Sequence, residues 1–111
     1  ISLAQLVAEL PPVFTAADRL IGVPTEKSRS FIADLIADPE ARAAFFDTLG
    51  PEQRLDLTDG LRLRFASGTV VHLRPSGNAP ECRCYAEAGS AAQAAALVAT
   101  HLAKLKARLA P

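Results

Sequence analysis

Residues 59–88, DGLRLRFASGTVVHLRPSGNAPECRCYAEA, decide the fold. Read in twos, Leu61, Leu63 and Phe65 alternate with Arg62 and Arg64. Val71 and Leu73 alternate with Val70, His72 and Arg74, and Cys82, Cys84, Ala86 and Ala88 alternate with Arg83, Tyr85 and Glu87. A period of two is the signature of a strand with one buried face. Asp59-Gly60 and Ser67-Gly68 are turn signals between such runs. Just upstream, Leu55 and Leu57 alternate with Asp56 and Thr58 and predict a further strand. The pattern is an antiparallel meander with one apolar face to be covered and one polar face left open.

Helical signals flank the meander. Ser90 with Gln93 forms a capping box, followed by a stripe of Val98, Leu102, Leu105 and Leu109, with Lys104, Lys106 and Arg108 where cations suit the helix dipole. Upstream, Thr25 reads as an N-cap ahead of Phe31, Ile32, Leu35 and Ile36, and Asp38-Pro39 starts a short helix carrying Phe45 and Phe46, which ends by Gly50. Val13-Phe14-Thr15 reads as extended, and Asp18-Arg19-Leu20 has no clear pattern. Ser2 to Leu10 reads as a short helix stopped by Pro11-Pro12, so that residues 1–12 form a linker helix. The expectation is an α+β fold: an antiparallel sheet of about four strands, helices packed on one face, the other face open. Phe45 and Phe46 read as packing residues and His101 as a solvated histidine.

The chain has 111 residues, which fits one domain. Twelve basic and twelve acidic residues give a formal net charge of zero, whereas nucleic-acid binders usually carry a basic excess. No apolar run approaches the ~20 residues of a membrane helix, and no secretory leader is seen. The chain opens on Ile1 within a helical pattern and reads as a piece of a longer protein. Cys82 and Cys84 read as small buried hydrophobes, with too few companions for a zinc site.

The chemistry is concentrated in Arg74-Pro75-Ser76-Gly77-Asn78-Ala79-Pro80. Arg74 offers a planar fork of donors that suits phosphate, Ser76 a hydroxyl and Asn78 an amide. Gly77 lets a ligand approach the backbone closely, and consecutive amides in such a turn can form an anion-binding concavity. The same residue types also make an ordinary turn, and composition alone leaves both readings open. Arg62, Arg64, His72, Arg83 and Tyr85 share the polar face with Arg74. They form either a positive surface or a solvated face, with Arg83, close behind the loop, the best candidate for a contact.

The stretches Asp59-Gly60-Leu61-Arg62 and VHLRPSGNAPECRCY, residues 71–85, resemble the final domain of the α-D-phosphohexomutases, which read R-P-S-G-T-E-P or near variants at the loop. FTAADRLIGVPTEKSRSFI, residues 14–32, is similar to the phosphomannomutase branch of that family. The resemblance implies that the whole of 1–111 is the single C-terminal domain of a four-domain cytoplasmic isomerase, with a TATA-binding-protein-like fold. It implies that Arg74, Ser76, Gly77 and Asn78 hold the substrate phosphate, with Arg83 a further candidate contact. Asn78 and Ala79 stand where many members have Thr and Glu. The implied partners are hexose phosphates (mannose 6-phosphate and mannose 1-phosphate, with glucose phosphates as further candidates) and the enzyme's other domains, not nucleic acid or membrane. The phosphoserine, the Mg²⁺ and the sugar-recognition loop would belong to those other domains, leaving no catalytic and no metal-binding residue here. The alternative is a stand-alone α+β module reading RNA on its open sheet, for which base-stacking aromatics are scarce.

Overall fold

The computed structural model describes residues 13–77 and 79–109. The helix expected from Ser2 to Leu10, its Pro11-Pro12 stop and Asn78 lie outside the described residues. The chain runs β1 (Phe14–Ile21), α1 (Thr25–Ala37), α2 (Pro39–Phe45), β2 (Glu52–Asp56), β3 (Leu61–Phe65), β4 (Val70–Pro75), β5 (Glu81–Ala88) and α3 (Ala91–Leu109). The five strands form one antiparallel sheet in the order β1-β5-β4-β3-β2. The fold is α+β as expected, with one strand more than the expected four. The extra strand is β1, an eight-residue edge strand paired along its whole length with β5.

The period-two reading places the core. Leu61, Leu63, Phe65, Val71, Leu73, Cys82, Cys84 and Ala86 are all buried on one face. Against them pack Ile32 and Leu35 of α1, Phe45 and Phe46 at the end of α2, and Val98, Leu105 and Leu109 of α3. Phe45 and Phe46 meet edge-on, centroids 4.8 Å apart, as packing residues. The helices lie over β1, β5 and β4. Leu55 faces the same way, opposite Leu63, yet stays 38% exposed at the β2 edge.

Three local expectations are corrected. Thr25 is not an N-cap: Pro24 holds that position, and the Thr25 hydroxyl donates to the Ala79 carbonyl at 3.4 Å instead. Asp59-Gly60 is the end of a longer connection spanning residues 57–60, although Gly60 does take the left-handed conformation the signal requires, φ +75°. His101 is not solvated: it is fully buried beside Phe45 and Phe46, because it lies on the same stripe as Ala94, Val98 and Leu105. The other caps form as read. The Asp38 carboxylate accepts the Glu40 amide at 3.0 Å, with Pro39 in the first turn, and the Ser90 hydroxyl accepts the Gln93 amide at 3.1 Å.

Candidate functional site

Arg74 sits near the end of β4, and the connection from it to β5 is tied down from several sides. The Ser76 amide donates to the Glu81 carbonyl at 3.0 Å, and the Glu81 amide to the Ala79 carbonyl at 2.8 Å. The Ala79 amide donates to the Ser76 hydroxyl oxygen at 3.3 Å, a side-chain turn of the kind serine favours. From outside, the amides of Gly22 and Val23 both donate to the Pro80 carbonyl, at 2.8 and 3.0 Å, beside the Thr25 contact to Ala79. The segment between β1 and α1 is therefore the platform on which the loop rests. Pro75 and Pro80 have no amide to leave unpaired at its two ends.

These bonds change the expected donor set. The amides of Ser76 and Ala79 are used inside the loop, so the loop is not a run of amides all turned toward a ligand. Gly77 is exposed, and a Cβ built on it would meet nothing within 4 Å, so the backbone can be approached there. Asn78, the fourth expected phosphate contact, lies outside the described residues. The structure thus brings Arg74, Ser76 and Gly77 together at one strand end.

Arg74 is not alone on its face. The pairing puts it directly opposite Arg83, and Arg83 directly opposite Arg19, so that three arginines form a row across β4, β5 and β1. Side chains directly opposite in antiparallel strands stand roughly 4.5–5.5 Å apart at Cβ, and like charges there repel. Carboxylates offset part of that repulsion. Asp59 holds Arg74 through Oδ2 and Nε at 2.9 Å, and Glu81 contacts both Arg19 (3.3 Å) and Arg83 (3.4 Å). The Tyr85 hydroxyl and the Glu81 carboxylate both favour the charged form of Arg83. All three guanidinium side chains stay about half exposed, 45%, 43% and 53% for Arg74, Arg83 and Arg19. Exposed ion pairs contribute little net stability, so an arriving dianion can replace a carboxylate at these guanidiniums. The Asp18-Arg19 pair resembles a feature of the α-D-phosphohexomutases, for which the sequence suggests a salt bridge or a domain contact, and Arg19 forms a salt bridge with Glu81.

Part of the rest of the face is self-paired, while Arg64 stands exposed on β3. Arg62 bonds Glu87 at 2.9 Å, His72 contacts the Asp59 carbonyl through Nε2, and the His72 and Tyr85 rings lie 5.5 Å apart. Among the described residues no three His, Cys, Asp or Glu side chains gather to hold a metal ion. Asp59, Glu81 and Glu87 are each committed to arginine. Both cysteine thiols face the core, where burial pushes Cys82 up to about 11 and Cys84 up to about 12, so neither is a nucleophile at neutral pH. Among the described residues no helix is long and apolar enough to cross a membrane.

The family described as "Phosphoglucomutase/phosphomannomutase, C-terminal domain" matches residues 5–104. The chain is 38% identical to a phosphomannomutase of Salmonella muenchen over 112 aligned positions, which cover 97% of this chain and 23% of that protein. It is 41% identical to a phosphomannomutase of Sinorhizobium fredii (strain NBRC 101917 / NGR234) over 87 positions, covering 78% of this chain and 18% of that protein. The chain spans less than a quarter of the length of these curated relatives.

Proposed function

The chain belongs to the phosphoglucomutase/phosphomannomutase C-terminal domain family, and on that premise we propose that it grips the phosphate of a hexose phosphate for a phosphomannomutase. The activity proposed for the whole enzyme is the interconversion of mannose 6-phosphate and mannose 1-phosphate through a bisphosphorylated sugar. Its phosphoserine and Mg²⁺ would sit in domains outside this chain, and its location would be cytoplasmic. The observation that carries the reading is the strand-end cluster of Arg74, Ser76 and Gly77, with Arg83 directly across from Arg74. Asn78 is proposed as a fourth contact from the loop motif alone.

The task suits the geometry. A loop that recognises phosphate and little of the sugar can hold the non-reacting phosphate in either orientation of the substrate. Two facing guanidiniums supply charge-assisted bonds to the phosphate oxygens, and a loop pinned by six hydrogen bonds loses little freedom on binding. Binding energy gathered here positions the reacting end elsewhere in the enzyme. The RNA alternative is weaker on this face, where Tyr85 and His72 supply the aromatic surface and the nearby arginines are matched by carboxylates.

Because association itself costs several kcal/mol, the isolated chain should bind with a dissociation constant on the order of millimolar. NMR titration with mannose 6-phosphate and with glucose 1-phosphate should move the same amide signals within residues 74–78, and free mannose should move none. Arg74→Ala should abolish the shifts without unfolding the chain. Shifts confined to α3, or binding unchanged by Arg74→Ala, would refute the reading.

A further inference from the structure

Glu81 is the first residue after the loop, and its backbone is bonded into the loop at both its amide and its carbonyl. Its carboxylate points onto the open face with only 10% of the side chain exposed, and it is shared: Oε2 faces Nε of Arg19 at 3.3 Å and Oε1 faces Nη2 of Arg83 at 3.4 Å. Both contacts are long for charge-assisted bonds, which favour about 2.7–2.9 Å, so neither guanidinium is locked. A phosphate seated between Arg74 and Arg83 arrives within one strand step of this carboxylate and is repelled by it. A carboxylate so little exposed is poorly placed to withdraw into water. Its remaining partner is Arg19, across β1, beside a concavity of ≈350 Å³ lined by Ala17, Asp18, Arg19, Arg83 and Tyr85.

We propose that Arg19 is a positioning residue of the anion site: it keeps hold of Glu81 while Arg83 exchanges that carboxylate for the bound phosphate. This rests on the phosphate-loop reading of the strand end and adds to it a built-in competitor, Glu81, and the residue that restrains it. Arg19 acts through Glu81 and does not touch the ligand. Asp18, its neighbour, lies on the opposite face of β1 and accepts the Arg19 amide at 2.8 Å, so it leaves the guanidinium to Glu81. The arrangement sets affinity by difference. Phosphate must outcompete Glu81 for Arg83, and a sugar without a phosphate cannot.

The test is a double-mutant cycle read by NMR titration of the 111-residue chain with inorganic phosphate and with mannose 6-phosphate, at fixed ionic strength. Arg19→Ala should weaken both ligands about three- to ten-fold, and Glu81→Gln should strengthen both by a similar factor, the range expected for one partly screened charge at close quarters. In the Glu81→Gln background the effect of Arg19→Ala should vanish, because no carboxylate remains to be restrained. If Arg19→Ala weakens binding equally in both backgrounds, Arg19 touches the ligand and the exchange is overturned. Unchanged affinity in both single variants overturns it whatever Arg74→Ala does. Should Arg19→Ala disturb β1, Arg19→Gln, which keeps the aliphatic stem, is read in the same way. Arg74→Ala run alongside separates the two ideas: loss of binding there with no effect at Arg19 or Glu81 leaves the phosphate loop standing and removes only the exchange.

Discussion

At the scale of single residues, Gly60 and His101 make the sharpest demands on the chain. Gly60 has φ +75°, and a Cβ there would run into the Leu73 carbonyl oxygen of the neighbouring strand. Gly60→Ala should therefore cost about 2 kcal/mol or more, combining left-handed strain with a backbone clash, read as a lower urea midpoint at unchanged slope. His101 is buried with Nδ1 donating to the Leu97 carbonyl at 2.7 Å, which fixes the tautomer and leaves a buried Nε2 without a partner. Burial lowers its pKa from the ordinary 6.5, and Lys104 adds to the lowering against the opposing pull of the Leu97 carbonyl and Asp47. The unfolded chain therefore takes up the proton first as pH falls. The stability at issue is fully present above about pH 6.5 and is lost as pH drops below it, until the folded-state pKa is passed. The slope should approach about 1.4 kcal/mol per pH unit at most, and His101→Leu should flatten it. A stability profile from pH 8 to 5 with no such difference between the two proteins would contradict this.

At the scale of elements, the β-meander was legible because each of β3, β4 and β5 alternates cleanly, and α3 because its cap and stripe agree. His101 was misread by its polarity alone, for its spacing from Val98 and Leu105 already put it on the buried stripe. β1 was half legible. Its helix-facing residues are Phe14, Ala16, Asp18 and Leu20, so an acid interrupts the apolar row, and only pairing with β5 reveals the strand. The same gap left Arg19 without an assigned role, whereas Arg74, Ser76, Gly77 and Asn78 could be singled out as a proposed site because one continuous segment carries them. Arg42 was not legible either, since its role depends on three elements that meet only in the fold. Its side chain is 9% exposed and donates to the carbonyls of Leu35 (3.1 Å) and Ile36 (2.7 Å) near the end of α1. It also pairs with Glu52 at 2.8 Å, where the register of β2 shifts. Arg42→Met keeps much of the apolar stem but leaves two carbonyls and a carboxylate without their donor. The expected loss is about 2–3 kcal/mol, below the range for fully buried pairs because Glu52 retains some water contact. A chemical-denaturation midpoint unchanged within error would show that these bonds are replaced by solvent.

At the scale of the whole molecule, the chain has what a domain needs to fold, and the proposed division of labour leaves phosphoryl transfer to other domains. One contiguous core joins all three helices to the sheet, and Lys104 of α3 reaches across to the Phe45 carbonyl (2.6 Å) and Asp47 (2.9 Å) beyond α2. The 111-residue chain should therefore unfold in one cooperative transition with dispersed amide signals. Phosphoryl transfer requires a nucleophile in line with the phosphorus and fixed positive charge on the transferring oxygens. The Ser76 oxygen accepts from the Ala79 amide, the two thiols are buried and held protonated, and His101 lies in the core. The proposed role of the arginines is to hold phosphate, with the transfer left to the other domains. A coupled assay with mannose 1-phosphate, Mg²⁺ and a bisphosphorylated hexose should accordingly show no turnover by this chain, while the NMR titration on the same sample shows phosphate-dependent shifts within residues 74–78. Turnover that co-purifies with the chain and disappears with Ser76→Ala would place a nucleophile on this loop and overturn the division between gripping and chemistry. Absence of both turnover and shifts would remove the gripping role itself.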